Sequence, residues 1–142
     1  MQALFAHICC WGKTECTVTR GVCQFAHSGR VARVAFAGQD LVASSSADGS
    51  IRFWDRATGM EKEGAVPGSV LEWSNCREQQ VGRFRVAAEG DLLTICLLQG
   101  AVRAPFFRAP SRIGALVCTG ADIALGCDSG AVLQLQAEVL LT

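Results

Sequence analysis

The sequence predicts an all-β fold, and three observations carry that expectation. Short runs alternate apolar and polar residues with a period of two, which sets successive side chains on opposite faces of a strand. Turn residues separate the runs: Gly38-Gln39-Asp40, Asp48-Gly49, Thr58-Gly59, Glu89-Gly90-Asp91 and Asp128-Ser129-Gly130. No apolar stripe of helical period persists, and the best helical candidate, Leu92–Gly100, is short and bounded by glycine on both sides.

Composition sets the broad class. The chain has 142 residues, 50% hydrophobic and 18% charged, with zero formal net charge. A packed core is expected and wholesale disorder is not. The global charge gives no pull toward nucleic acid or an anionic membrane. The cations are almost all arginine, which favours fixed, forked contacts. There are eight cysteines. Several lie inside apolar runs (Thr94–Leu98, Leu116–Thr119), where a free thiol behaves as a small hydrophobe. No Cys-x-x-Cys occurs and the histidines are His7 and His27 alone, so a zinc site lacks its ligand spacing. Reduced, buried thiols and a reducing compartment are the expectation. No run approaches the roughly 18 to 20 uncharged residues of a membrane helix, and the N-terminus lacks the basic n-region of a signal peptide. An intracellular protein, cytoplasmic or nuclear, follows, with no membrane partner.

The clearest element is Leu41–Asp55, LVASSSADGSIRFWD. Asp-Gly between two β-compatible runs is a strong hairpin signal, since glycine takes positive φ without steric cost. Ile51 and Phe53 share one face; Arg52 and Trp54 share the other. Upstream, Val31, Val34 and Phe36 mark an earlier strand, and His27 precedes it. A His, three short strands, an Asp-Gly turn and a closing Trp54-Asp55 together resemble a WD40 repeat, with Ala26-His27 in place of the usual Gly-His. Trp11, Trp54 and Leu97 recur within the roughly 40 to 45 residue period of that family; Leu135 follows at a shorter interval.

The resemblance implies a β-propeller of four-stranded blades, here a segment of about three and a half. Residues 1–25 form a half blade, with Ala3–Trp11 as its third strand and Cys16–Phe25 as its outer strand. Residues 27–66 form a full blade: Val31–Phe36, Leu41–Ser46, Ser50–Trp54 and Met60–Val66, ended by Pro67-Gly68. Residues 67–107 form a degenerate blade of Val70–Ser74, Val81–Ala88, Leu92–Leu98 and Ala101–Phe107, with Asn75–Gln80 as a polar loop. Residues 108–142 form another, of Arg112–Thr119, Asp122–Cys127, Ala131–Gln136 and a final outer strand, Glu138–Leu141. Closed propellers have about four to eight blades. Completion of the ring therefore falls to a longer parent chain, to self-association or to a partner.

His27, Ser46 and Asp48 could be taken for a Ser-His-Asp triad. A nucleophile needs exposure and an oxyanion hole, and no Gly-x-Ser-x-Gly elbow is present. The family resemblance implies instead a structural tetrad of His27, Ser46, Asp48 and Trp54, with Ser44 as the alternative hydroxyl on the same strand face. In that tetrad Asp48 fixes the His27 tautomer and the hydroxyl receives the indole N–H. The later units lack the tetrad: no histidine follows Val66, and leucines stand in the closing-Trp places.

Arg77, Arg83, Arg85, Arg103, Arg108 and Arg112 cluster in a region poor in acids. They read either as a surface for RNA or an acidic peptide or, the favoured reading, as solvated strand-edge and loop charges. Glu61 and Glu63 bracket Lys62 on an outer strand and make no acid–base pair. No phosphate-binding loop or dinucleotide fingerprint occurs. Neither a metal nor a cofactor is implied, and no enzyme activity. The expected function is a scaffold for protein–protein interaction within a larger assembly. The alternative is an RNA-associated ribonucleoprotein component using the arginine-rich surface. In general form the degenerate last blades also resemble the propeller ends of large NACHT or apoptotic-ATPase WD proteins, including the telomerase- and vault-associated kind.

Overall fold

The computed structural model describes residues 2–3, 6–9, 14–63, 71–98 and 103–141. Every regular element among them is a β-strand. In chain order these are β1 (Gln2–Ala3), β2 (Ala6–Cys9), β3 (Thr14–Phe25), β4 (Val31–Ala37), β5 (Leu41–Ser46), β6 (Ile51–Asp55), β7 (Glu78–Val81), β8 (Phe84–Glu89), β9 (Leu92–Leu97), β10 (Ala104–Arg108), β11 (Ile113–Thr119), β12 (Asp122–Cys127) and β13 (Ala131–Leu141). The all-β expectation holds. No described helix is long and apolar enough to cross a membrane.

The strands form three antiparallel sheets, and none closes on itself. β4, β5 and β6 make one meander, joined at its second turn by Asp48-Gly49, where Gly49 has φ of 88°. β7 to β10 make the second, in the order β10-β9-β8-β7. The third joins the two ends of the described chain. β11, β12 and β13 follow one another, and β3 pairs along the whole of β13, from Ala131↔Phe25 to Leu141↔Thr14. β1 and β2 pair with the other side of β3.

The third sheet has two buried faces. On one, Ile113, Leu116, Leu125, Leu133 and Leu135 pack with Leu93, Ile95 and Phe106 of the second sheet. On the other, Ala115, Ala124 and Val132 pack with Val31, Val34, Val42 and Trp54 of the first. Period-two alternation therefore sends large side chains one way and smaller ones the other. The small side is required: a Cβ on Gly126 would lie 2.3 Å from Val31 Cγ1. Arg56 adds a polar tie between these sheets, with its guanidinium over Phe36 at 4.3 Å and an ion pair to Asp122.

Several boundaries differ from expectation. Cys16–Phe25 does hairpin with the strand before it, as β2 and β3 show, but β3 is also the neighbour of β13. The expected half blade is thus part of the last sheet. The tail Glu138–Leu141 is no separate strand; it continues β13 past a bulge between Gln136 and Ala137, because β3 offers pairing partners for the whole length. The first strand of the second sheet is β7, which starts inside the expected polar loop and takes Val81 from the expected strand Val81–Ala88, divided by a turn at Gly82-Arg83. Its side chains find polar partners there: Arg85 Nε lies 2.8 Å from Glu78 Oε1, and Gln79 Oε1 accepts the Cys118 N–H at 2.8 Å. Val70–Ser74 contributes only the bridge Ser74↔Val34 among the described residues. An outer strand after β6 is limited there to the bridge Trp54↔Glu61, and residues 64–70 lie outside the described residues. Trp11 lies outside them too. Leu135 stands opposite Ile123 and is 2% exposed, in the place that Trp54 takes opposite Val42; Leu97 at the end of β9 is 37% exposed.

Among the described residues, Cys23, Cys76, Cys96, Cys118 and Cys127 are free thiols. Burial pushes the thiols of Cys118 and Cys127 up to about 12 and that of Cys23 to about 11, so all three stay protonated and poorly nucleophilic.

Candidate functional site

The loop before β4 and the hairpin β5–β6 bring the predicted tetrad residues together. His27 is 5% exposed, Ser44 0% and Trp54 1%. The loop is anchored from outside as well: the His27 N–H donates to Gly130 O at 3.3 Å. Gly130 has φ of 88°, and a Cβ there would meet His27 O at 2.0 Å, so only glycine allows this approach.

A directed chain of hydrogen bonds runs through the site. Trp54 Nε1–H donates to Ser44 Oγ at 2.9 Å. Ser44 Oγ lies 2.7 Å from His27 Nε2, and His27 Nδ1 lies 2.8 Å from Ser50 Oγ. Ser50 Oγ donates to Asp48 Oδ1. Because Ser50 gives its proton to the carboxylate, it accepts from Nδ1–H; Nε2 is then the acceptor for the Ser44 hydroxyl. Every donor points one way, from indole to carboxylate, and His27 is neutral.

Two expectations are corrected by this geometry. The hydroxyl of the tetrad is Ser44, not Ser46. Ser46 Oγ donates to Gly29 O at 3.1 Å and accepts the Asp48 N–H at 3.2 Å, which braces the turn. Asp48 does not fix the His27 tautomer directly, since Nδ1 to Oδ2 is 3.6 Å; it acts through Ser50. Ser50 was missed. Its signal is the Asp48-Gly49-Ser50 spacing, which lets a carboxylate bond the backbone two residues on, as Ser50 N to Asp48 Oδ1 does at 2.8 Å.

The electrostatics agree with a neutral imidazole. Burial holds the His27 pKa below the ordinary 6.5, and Asp48 offsets this only in part. Hydrogen bonds from Ser50, side chain and then backbone, hold Asp48 well below the carboxylate range, with Ser28 contributing. Both groups have depressed pKa values in the folded state. Their stabilisation is complete above the unfolded-state pKa and is lost as pH falls. The melting temperature is therefore expected to fall as pH drops through about 6.5 and below, through His27, and again below about pH 4, through Asp48. His27→Gln is expected to flatten the first step; equal slopes in wild type and variant would refute it. Chemically, the Ser44 oxygen is buried and already accepts the indole N–H. The constellation joins a loop to two strands; Ser44 and Ser46 are buried, and the half-buried Ser50 hydroxyl is engaged by the Asp48 carboxylate.

No protein-family model matches the chain, and no curated protein matches it. Among solved structures it is similar to the computationally designed Ika8 protein, with 16% identity over 72% of this chain and a TM-score of 0.37. The chain spans 32% of that protein's length.

The six arginines considered as a possible surface divide. Arg85, Arg103 and Arg108 are ion-paired on the second sheet, to Glu78, Glu89 and Asp91 at 2.8, 2.6 and 2.8 Å. Such exposed pairs hold their charges locally and add little stability. Arg83 sits exposed in the β7–β8 turn. Arg77 and Arg112 lie elsewhere, lining a cavity of about 420 Å³ with Arg30, Arg33 and Asp128. Arg30 and Arg33 were not among the expected residues. Arg30 immediately precedes the first sheet's leading strand and Arg33 lies in it, and sequence separation hides both from the arginine-rich middle. No group of three metal-ligating side chains occurs among the described residues.

Proposed function

We propose that the protein is a non-catalytic scaffold of the WD40 type, whose sheets act as blades and whose turns present a rigid surface to a protein or peptide partner. The observation that supports this reading is the buried chain Trp54–Ser44–His27, continued through Ser50 to Asp48, inside a three-stranded meander. Those residue types in that order serve structure, because every polar atom is spent on another. The pairing of β3 with β13 adds support: it joins distant parts of the chain in one sheet, as a ring of blades requires. Completion of the ring belongs to a longer chain, a second copy or the partner.

The test is reconstitution from purified components of a complex with a partner identified by affinity purification. A stoichiometric complex, with cross-links mapping to the turns between strands, is the expected result. A serine-directed fluorophosphonate probe is expected to leave the folded protein unlabelled. Labelling of Ser44 or Ser46 would overturn the scaffold reading.

A further inference from the structure

We infer that the cavity between the leading strands of the three sheets is a binding site for a compact, multiply charged phosphate-bearing anion, received by Arg30, Arg77 and Arg112 with Arg33 beside them. The site needs only this cavity and is independent of any protein partner.

The three arginines occupy the same place in each sheet. Arg30 immediately precedes β4, Arg77 precedes β7 and Arg112 precedes β11. Each carbonyl is held by an N–H from the end of the next strand: Ala47 N to Arg30 O at 2.9 Å, Ala88 N to Arg77 O at 2.7 Å and Asp128 N to Arg112 O at 2.8 Å. Their backbones are thus fixed while their side chains stay exposed. Two of the strands also carry a bulge at the same step, between Val31 and Arg33 and between Ile113 and Ala115. The bulged residues, Ala32 and Gly114, are small and line the cavity, which keeps it open.

Charge separates these arginines from five of the others, and the remaining two, Arg20 and Arg83, lie outside the cavity. Arg52, Arg56, Arg85, Arg103 and Arg108 each meet a carboxylate. Among the described residues, Arg30, Arg33, Arg77 and Arg112 meet none within 4.0 Å; Asp128 is the one carboxylate in the lining. Four cations and one anion around one cavity repel one another until a multivalent anion enters. Guanidinium groups suit phosphate, since each can donate two parallel hydrogen bonds.

Size and lining narrow the ligand. The volume is that of a small-molecule site, about 300 to 1,000 Å³. No aromatic side chain lines the cavity, so a nucleobase has nothing to stack on. Trp73 is instead engaged from outside, with the Arg33 guanidinium 5.2 Å from its ring. A polyphosphorylated polyol or an inorganic oligophosphate fits these conditions better than a nucleotide or single-stranded RNA.

Isothermal titration calorimetry with myo-inositol hexakisphosphate and with inorganic tripolyphosphate tests the site. One site per chain is expected, weakening steeply as salt rises. The double variant Arg77→Ala, Arg112→Ala is expected to bind at least about tenfold more weakly, since charge-assisted hydrogen bonds are lost. The control Arg83→Ala, Arg108→Ala is expected to bind as wild type, with unchanged circular dichroism in all three proteins. Co-sedimentation with phosphatidylcholine vesicles containing phosphatidylinositol bisphosphate identifies the source. Vesicle binding lost in the Arg77, Arg112 variant assigns the site to a lipid headgroup; binding of soluble anions alone assigns it to a free phosphate compound. Absence of binding in wild type, equal affinity in the two variants, or tighter binding of a single-stranded RNA oligomer than of either anion would overturn the proposal.

Discussion

Replacing Trp54 with alanine is expected to lower the stability by about 3 to 5 kcal/mol, the usual cost of emptying a buried aromatic site. Trp54 is 1% exposed and packs among Val31, Val34, Val42, Ala115, Ala124 and Val132. Three of those neighbours belong to the third sheet, so the cavity would open between two sheets and not within one. The loss is also polar. Without the indole N–H, Ser44 Oγ keeps only its bond to His27. Trp54→Phe separates the two contributions, because it retains most of the ring and deletes the donor. Its expected cost is about 1 to 2 kcal/mol, that of a lost buried hydrogen bond. Urea denaturation with unchanged m-value measures both. A cost below about 1 kcal/mol for the alanine variant would show that this core collapses without penalty. Against a typical domain stability of about 5 to 15 kcal/mol, the expected loss is between about a fifth and the whole of the total.

How much of this was legible in the sequence follows from the range of each interaction. The β5–β6 hairpin was, because its turn and both strands lie within fifteen consecutive residues, Leu41–Asp55. The choice between Ser44 and Ser46 was legible in principle. The turn sets Val42 opposite Trp54, so Ser44 is the diagonal neighbour on that face and Ser46 lies a further step away. β7 was not legible: Glu78, Gln79 and Gln80 carry no apolar alternation, and their strand is made by Arg85 and by the backbone of β8 and β11. The arginine cavity was hidden for a different reason. Its parts are local and each is unremarkable alone; only the meeting of three sheets brings Arg30 and Arg33 to Arg77 and Arg112. The partner of β13 was the least accessible, since pairing across most of the chain leaves no mark on either segment.

Removal of residues 1–25 is expected to abolish cooperative folding of the remaining chain. β13 would become an edge eleven residues long, with its row of N–H and C=O groups open to other chains. The loss reaches the core, because Cys16, Val18 and Cys23 are each 2% exposed or less and belong to the cluster that holds Leu93, Phe106 and Leu133. The truncated chain is expected to elute as aggregate in size-exclusion chromatography with light scattering, and to lose its thermal transition. A peptide of residues 14–25 supplied in trans is expected to restore the transition, by adding a strand to the open edge. The same peptide carrying Val18→Asp is not, because it would bury a charge among apolar side chains. A truncated chain that melts as a monomer within about 1 kcal/mol of the intact protein would mean that β13 is stable as a free edge. In that case the three sheets would hold together through β4, β7 and β8 packed on β11 and β12, and the closure of the last sheet by β3 would contribute packing but not the fold.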